Sequence, residues 1–298
     1  MFYKIMFSVM VFCITLSNAY AQHGKLHVGT TLHPYYAYVA NIVGNQGEVI
    51  PLIETGFNPH NYSLSPADIS RLKNMDALVV NGIGHDDFAL DGFNRIKPQG
   101  VTLIKANDQV PLLRKNHKVN PHTFVSIDAA IRQVYAIAKS LGQLAPEHAK
   151  YFSKNAFLYA KKLRALKKPV QDILINHDLS NVRIASTHNA YGYLLQEFGL
   201  TVSAVVEPAH GVSPSASQLQ QTINEIKKAD IDVLFTELNM ANSYVDVIEK
   251  ATGIKVYHFS HMTHGQYSQD LVEREMQHNL TMLAKALTFA ASKSGNTL

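Results

Sequence analysis

Three histidines stand where an α/β chain would place a ligand. The tripeptide Asn-Pro-His occurs twice, at Asn58-Pro59-His60 and at Asn120-Pro121-His122. Each copy is followed by an aromatic, Tyr62 or Phe124, and then by a helix-opening pattern, Ser65-Pro66-Ala67-Asp68 or Ser126-Ile127-Asp128. Proline disfavours helix at the residue before it, so each histidine belongs on a turn just ahead of a helix. His188 follows the strand-like run 182–187 and leaves its end. A single such histidine is commonly a surface or hydrogen-bonded core residue; a duplicated turn argues for a shared role. Three neutral imidazoles suit Zn²⁺, with bonds of about 2.0–2.1 Å. Asn58, Asn120 and Asn189 adjoin them and are candidates to fix ring tautomers, although asparagine also favours turns for its own reasons.

The elements that must position these residues alternate. Strands are expected at 26–31, 47–53, 77–81 and 101–105. Helices are expected at 34–43, from Pro66, and at 126–141, where Ile127, Ile131, Val134, Ile137, Ala138 and Leu141 mark one buried face. Ser65, Pro66 and Asp68 form a capping-box-like start. A polar loop carrying His117 leads from the fourth strand to His122. Residues 146–176 read as one long helical segment, which Pro169 should bend or break near Leu166–Lys168. The alternation then restarts, with strands at 182–187, 201–206, 233–237 and 255–259 and helices at 190–198, 215–228, 241–251 and 268–291. This pattern predicts two α/β lobes with mostly parallel sheets. Ligands of such sheets bind outside the carboxyl ends of the strands, so a site using His60, His122 and His188 lies between the lobes. The expected organisation is residues 1–21 as signal peptide, 22–145 as one metal-binding lobe, 146–178 as the connecting helix and 179–298 as the other lobe.

Composition narrows the classes. Lys4, the apolar run from Ile5 to Leu16 and Ala19-Tyr20-Ala21 describe a cleavable secretory signal, too short to span a bilayer comfortably. Cys13 lies within that run and is the only cysteine of the 298 residues, so the exported part has no disulfide and no thiolate metal ligand. Imidazole is then its softest strong ligand, and all fifteen histidines lie beyond the signal. A formal net charge of +4, with no basic block interleaved with aromatics, gives no argument for nucleic acid.

The stretch Asn58-Pro59-His60-Asn61-Tyr62 with Ser65-Pro66-Ala67-Asp68, the turn Asn120-Pro121-His122, and Ser186-Thr187-His188-Asn189-Ala190-Tyr191-Gly192-Tyr193-Leu194 with Phe198-Gly199-Leu200 occur in that order. Together they resemble the zinc/manganese ABC-transporter substrate-binding proteins (ZnuA/TroA-like, cluster A-I, bacterial solute-binding protein 9). The likeness runs from Val28 through Asn279. It implies two Rossmann-like lobes joined by one long spanning helix, with His60, His122 and His188 holding a metal in the cleft. It also implies periplasmic location and delivery to an inner-membrane ABC permease with its cytoplasmic ATPase, by a monomer that does not itself span the membrane. In that family a third histidine goes with Zn²⁺, and a glutamate there with Mn²⁺ or iron. One position departs from the pattern: Ser260 stands where the family has an aspartate ligand, within His258-Phe259-Ser260-His261-Met262-Thr263-His264. His261, His264 or water would then take the fourth place. Only His85 and His117 stand where the family has a long histidine-rich loop.

Three other readings compete. One is a receptor for another divalent metal, Mn²⁺ or Fe²⁺, or for a metal complex. A second is a zinc hydrolase, since three histidines and a water form a catalytic arrangement. No His-Glu-x-x-His pairing supplies a general base, and Glu207 and Glu237 are unforced candidates, so a non-enzymatic role is favoured. A third is a secreted adhesin or scaffold, which predicts no buried site.

Overall fold

The computed structural model describes residues 25–55, 62–115, 117–207, 212–239 and 243–294. The signal segment and His60, with its Asn58-Pro59 turn, lie outside the described residues.

The first half runs β1 (Leu26–Thr30), α1 (His33–Val43), β2 (Gly47–Pro51), α2 (Pro66–Lys73), β3 (Ala77–Val80), α3 (Asp87–Ile96) and β4 (Thr102–Lys105). Its strands pair in parallel in the order β2-β1-β3-β4. Parallel neighbours need crossovers, and the helices supply them. At α2 the anticipated capping box forms: the Ser65 hydroxyl oxygen accepts the Asp68 N–H, and the Asp68 carboxylate accepts the Ser65 N–H. Helix α3 has no counterpart in the sequence reading. Gly92 falls in its middle and weakens the local helix signal; a Cβ there would come within 2.2 Å of Leu64 Cδ1. The polar stretch before His122 folds into a short antiparallel hairpin, β5 (Arg114–Lys115) and β6 (Lys118–Val119).

Helix α4 (Ile127–Leu144) buries the face expected of it, and Ser126 caps it by accepting the Ala129 N–H at 3.1 Å. The connecting segment is two consecutive helices, α5 (Ala149–Ala165) and α6 (Lys168–Asn176), rather than one. Pro169 has no N–H for the Ala165 carbonyl and its ring crowds that carbonyl. Leu166 and Lys167 remain right-handed but bond three residues back, to Leu163 and Arg164.

The second half repeats the topology. It runs β7 (Ile184–Ser186), α7 (Gly192–Gln196), β8 (Val202–Val205), α8 (Ala216–Lys228), β9 (Val233–Glu237), α9 (Ser243–Thr252), β10 (Lys255–Phe259) and α10 (Leu271–Ser294). The order β10-β9-β7-β8 is the first sheet's order read from the other edge: in each, the first strand lies between the second and the third. Each sheet therefore has its switch point between its first and third strands, where ligand crevices open.

One hydrophobic cluster runs through both halves. It joins Tyr38, Phe124 and Tyr159 to Tyr191, Phe235, Phe259 and the α10 residues Met276, Leu280 and Leu283. Polar ties reinforce it. Asn41 Nδ2 donates to the Gln269 carbonyl at 2.8 Å, Tyr267 donates to the Ile53 carbonyl at 3.1 Å, and His33 stacks on Tyr267 with centroids 4.1 Å apart. The Glu197 carboxylate, after α7, accepts the Ser126 hydroxyl and the Asp128 N–H at the N-terminus of α4, and Lys167 Nζ lies 3.4 Å from it. A carboxylate at a helix N-terminus is favoured by the unpaired N–H groups there.

Candidate metal centre

Four imidazoles converge where the strand ends of the two sheets face each other. His85 follows β3, His122 follows the β5–β6 hairpin beyond β4, His188 follows β7 and His261 follows β10. All four are buried. The Nε2 atoms of His122 and His188 are 3.1 Å apart. Two nitrogens bound to one ion at about 2.0–2.1 Å in tetrahedral geometry are separated by about 3.3–3.4 Å, so this pair is already near bridging distance. Ligand nitrogens of His85, His122 and His261 all lie within 4.8 Å of one another. The His261 ring is 5.1 Å from His122 and 5.8 Å from His188. Phe124, fully buried, forms an apolar floor against which His85 and His261 lean edge-on at 5.3 and 5.7 Å.

The tautomer of His122 is set by its own turn. Asn120 Oδ1 lies 2.7 Å from His122 Nδ1 and accepts the His122 backbone N–H at 3.1 Å. Nδ1 therefore carries the proton, and the Nε2 lone pair points at His188. Asn120 Nδ2 donates to the Asn189 carbonyl at 2.8 Å, so one amide orients a first-half imidazole and ties it to the turn carrying His188. Of the three asparagines singled out in the sequence, Asn120 acts through its side chain, Asn189 contributes its carbonyl, and Asn58 lies outside the described residues. Ser186 Oγ donates to the His188 carbonyl at 2.6 Å and braces the second turn.

Ser260 is buried and builds the turn that presents His261. Its hydroxyl oxygen accepts the Met262 N–H at 3.0 Å. The Asn279 amide of α10 pairs with both backbone groups of Ser260, at 2.6 and 2.9 Å. Met262 turns left-handed, with φ 63°. His261 at the tip holds Nδ1 2.8 Å from Thr263 Oγ1, which directs Nε2 toward the cluster. Of the two histidines left open by the sequence, His261 enters and His264 does not. The His264 side chain is 46% exposed and lies 3.8 Å from Glu237 Oε1.

Two acidic residues stand at strand ends of the second sheet, Glu207 after β8 and Glu237 at the end of β9. Glu237 is buried, and desolvation, with the nearby Glu207 charge, pushes its carboxyl up to about 7. Glu207 accepts the Tyr244 hydroxyl.

Two residues of this centre lacked a motif in the sequence. His85 has only its place beyond the end of β3 to announce it. His261 stood among several adjacent histidines, and its burial depends on the Ser260–Asn279 pairing across 19 residues.

The family model for "Zinc-uptake complex component A periplasmic" (ZnuA) matches residues 28–286. The chain belongs to this family. Among solved structures, FpvC from P. aeruginosa in complex with Ni²⁺ is 48% identical, with a TM-score of 0.84, covering 89% of this chain and 98% of that one. The same protein is also solved with Mn²⁺. Zinc-binding protein AdcA of Streptococcus pyogenes serotype M1 is 25% identical over 288 residues, covering 89% of this chain and 54% of AdcA. The chain thus spans about half the length of the curated relatives it matches first. High-affinity zinc uptake system protein ZnuA of Bacillus subtilis is 25% identical, covering 81% of this chain and 80% of that protein. The resemblance drawn from the histidine turns is thereby confirmed, as is the architecture of two parallel α/β sheets. No helix among the described residues is long and apolar enough to cross a membrane.

Proposed function

We propose that this protein is a periplasmic receptor that captures Zn²⁺ between its two lobes and delivers it to an ABC permease driven by a cytoplasmic ATPase. The observation that carries the reading is the pair His122–His188, one imidazole from each half, with facing Nε2 atoms 3.1 Å apart. His60, His122 and His188 are the proposed ligands, and His261 takes the place that the family gives to an aspartate. An all-imidazole set is uncharged, and imidazole suits Zn²⁺ and other borderline ions better than Mn²⁺, which prefers oxygen. The proposed halves are residues 22–145 and 179–298, joined by 146–178, with residues 1–21 removed on export. The protein acts as a monomer and catalyses no reaction.

A second reading, a receptor for another divalent ion, is favoured by one finding: the 48% identical FpvC has been solved with Ni²⁺ and with Mn²⁺. Anomalous diffraction from metal-loaded crystals tests both readings by naming the ion and its ligands. One ion per chain, bonded to His122 and His188, is the expected result. An ion elsewhere, or no ion bound stoichiometrically, refutes the assignment.

A further inference from the structure

Five buried polar side chains meet around the His122 turn: Tyr35 of α1, Asn81 after β3, Asn107 after β4, Thr123, and Gln133 of α4. Burying polar groups costs free energy unless each finds a partner, and these find one another. Asn81 Oδ1 accepts the Tyr35 hydroxyl and Asn107 Nδ2, the latter at 2.7 Å. Asn107 Nδ2 also donates to the Asn81 carbonyl at 2.9 Å, and Asn107 Oδ1 accepts Gln133 Nε2 at 2.8 Å. Gln133 stands in the buried stripe of α4 with Ile131, Val134 and Ile137, a place where an apolar residue would pack without needing any partner.

Both ends of this chain of amides close on His122. Asn81 Nδ2 donates to the carbonyl of Pro121, the residue before it, at 2.9 Å. Gln133 Nε2 donates to Oγ1 of Thr123, the residue after it, at 2.9 Å. His122 itself, at φ −89° and ψ 40°, lies in neither a helix nor a strand, so its neighbours set its place. The second Asn81 N–H reaches the Gly84 carbonyl at 2.7 Å, in the loop where Gly82, Gly84 and His85 have positive φ of 74°, 104° and 75°. With two bonds donated and two accepted, the Asn81 amide is saturated. A fully satisfied buried network is rigid and specifies one arrangement.

We infer that Asn81 is a positioning residue for metal capture: it fixes His122 through Pro121, while Gln133 fixes the other side through Thr123, so the imidazole faces His188 before an ion arrives. Asn120 sets the tautomer of the ring, and the amide network sets where its backbone stands. A donor held in place beforehand loses less freedom on binding and so binds more tightly. This rests on the reading that His122 and His188 hold the ion.

The test measures Zn²⁺ affinity at pH 7.5, by competition with a chromophoric chelator, for wild type, Asn81→Ala, Thr123→Val, Thr123→Ser, Glu197→Ala and His122→Ala. Unfolding of each metal-free protein and the visible spectrum of each Co²⁺ complex are recorded alongside. Asn81→Ala lowers Zn²⁺ affinity about tenfold or more and shifts the Co²⁺ bands. Thr123→Val keeps the side-chain shape and loses the hydroxyl; it lowers affinity about threefold or more, and Thr123→Ser restores it to within about twofold of wild type. Glu197→Ala loses stability at the α4 N-terminus but keeps the wild-type affinity and spectrum, which separates positioning from a general weakening of the fold. Wild-type affinity and spectrum in Asn81→Ala overturn the inference, as do losses that Glu197→Ala reproduces. Where Asn81→Ala fails to fold, wild-type affinity in Thr123→Val overturns it in the same way. Metal retained by His122→Ala sinks the underlying site assignment instead, and the positioning role with it.

Discussion

Replacing Asn120 by alanine isolates how the centre is oriented. The substitution removes two contacts to His122, Oδ1 to the ring Nδ1 at 2.7 Å and Oδ1 to the backbone N–H at 3.1 Å, and leaves every proposed ligand in place. The ring then loses the partner that keeps the proton on Nδ1 and the Nε2 lone pair toward His188. Loss of such an outer partner typically weakens metal binding by about 10–100-fold, equivalent to about 1.4–2.7 kcal/mol. A third contact, Nδ2 to the Asn189 carbonyl at 2.8 Å, ties the His122 turn to the His188 turn. Its loss costs fold stability about 0.5–1.5 kcal/mol. The two effects separate by assay: competition against a chromophoric chelator at pH 7.5 reads affinity, and urea unfolding of the metal-free protein reads stability. Zn²⁺ affinity within about twofold of wild type refutes the argument, because it means that His122 is oriented by packing on Phe124 rather than by Asn120.

Three further outcomes follow from the same structure. Zn²⁺ affinity falls as pH drops through the histidine range near 6.5, because each ligand must be neutral to bind; equal affinities at pH 5 and pH 7.5 contradict the ligand set. Burial holds His33 down at about 4. A histidine whose folded value is depressed contributes stability that is intact above its unfolded value of about 6.5 and lost as pH falls toward 4, by at most about 3 kcal/mol. The urea midpoint of the metal-free protein therefore declines over that window, and His33→Gln flattens the decline; an unchanged slope in the variant excludes His33 as its source. Glu197→Ala strips the α4 N-terminus of its carboxylate and leaves the Ser126 hydroxyl and Asp128 N–H to find water, lowering stability by about 1–3 kcal/mol without altering metal stoichiometry; thermal unfolding with and without Zn²⁺ checks both parts.

Much of this architecture was readable because local signals agreed with the fold. The strand runs, the Ser65–Asp68 box and the α4 stripe each satisfy a rule of short range, and the sheets assembled from them as anticipated. Pro169 likewise disclosed the break between α5 and α6, since a missing N–H acts on the residue four positions back wherever it occurs. Helix α3 went unread because Gly92 serves a close approach to Leu64, a tertiary requirement that overrides helix propensity. His122 and His188 were found through their turns. His261 was one of two candidates, and only the distant Asn279 decides between them by holding Ser260. His85 sits in no motif, and its place in the cluster rests on three positive φ angles and one shared amide, none of which leaves a periodic trace.

The substitution of serine for the family's aspartate also acquires a physical sense. A carboxylate at position 260 would sit at the end of β10 and reach the ion directly. Serine instead spends its hydroxyl on the Met262 N–H, and that bond turns the chain so that the next residue occupies the cleft. Under the proposed ligand set the donor is displaced by one residue, and its charge changes from −1 to 0. Two consequences bear on the cargo. A centre of that composition lacks the hard oxygen that would favour Mg²⁺-like or Mn²⁺-like ions, and its imidazoles would leave a dication's charge uncompensated. Glu207 follows β8 and Glu237 ends β9, and burial, with the nearby Glu207 charge, raises the Glu237 carboxyl to about 7.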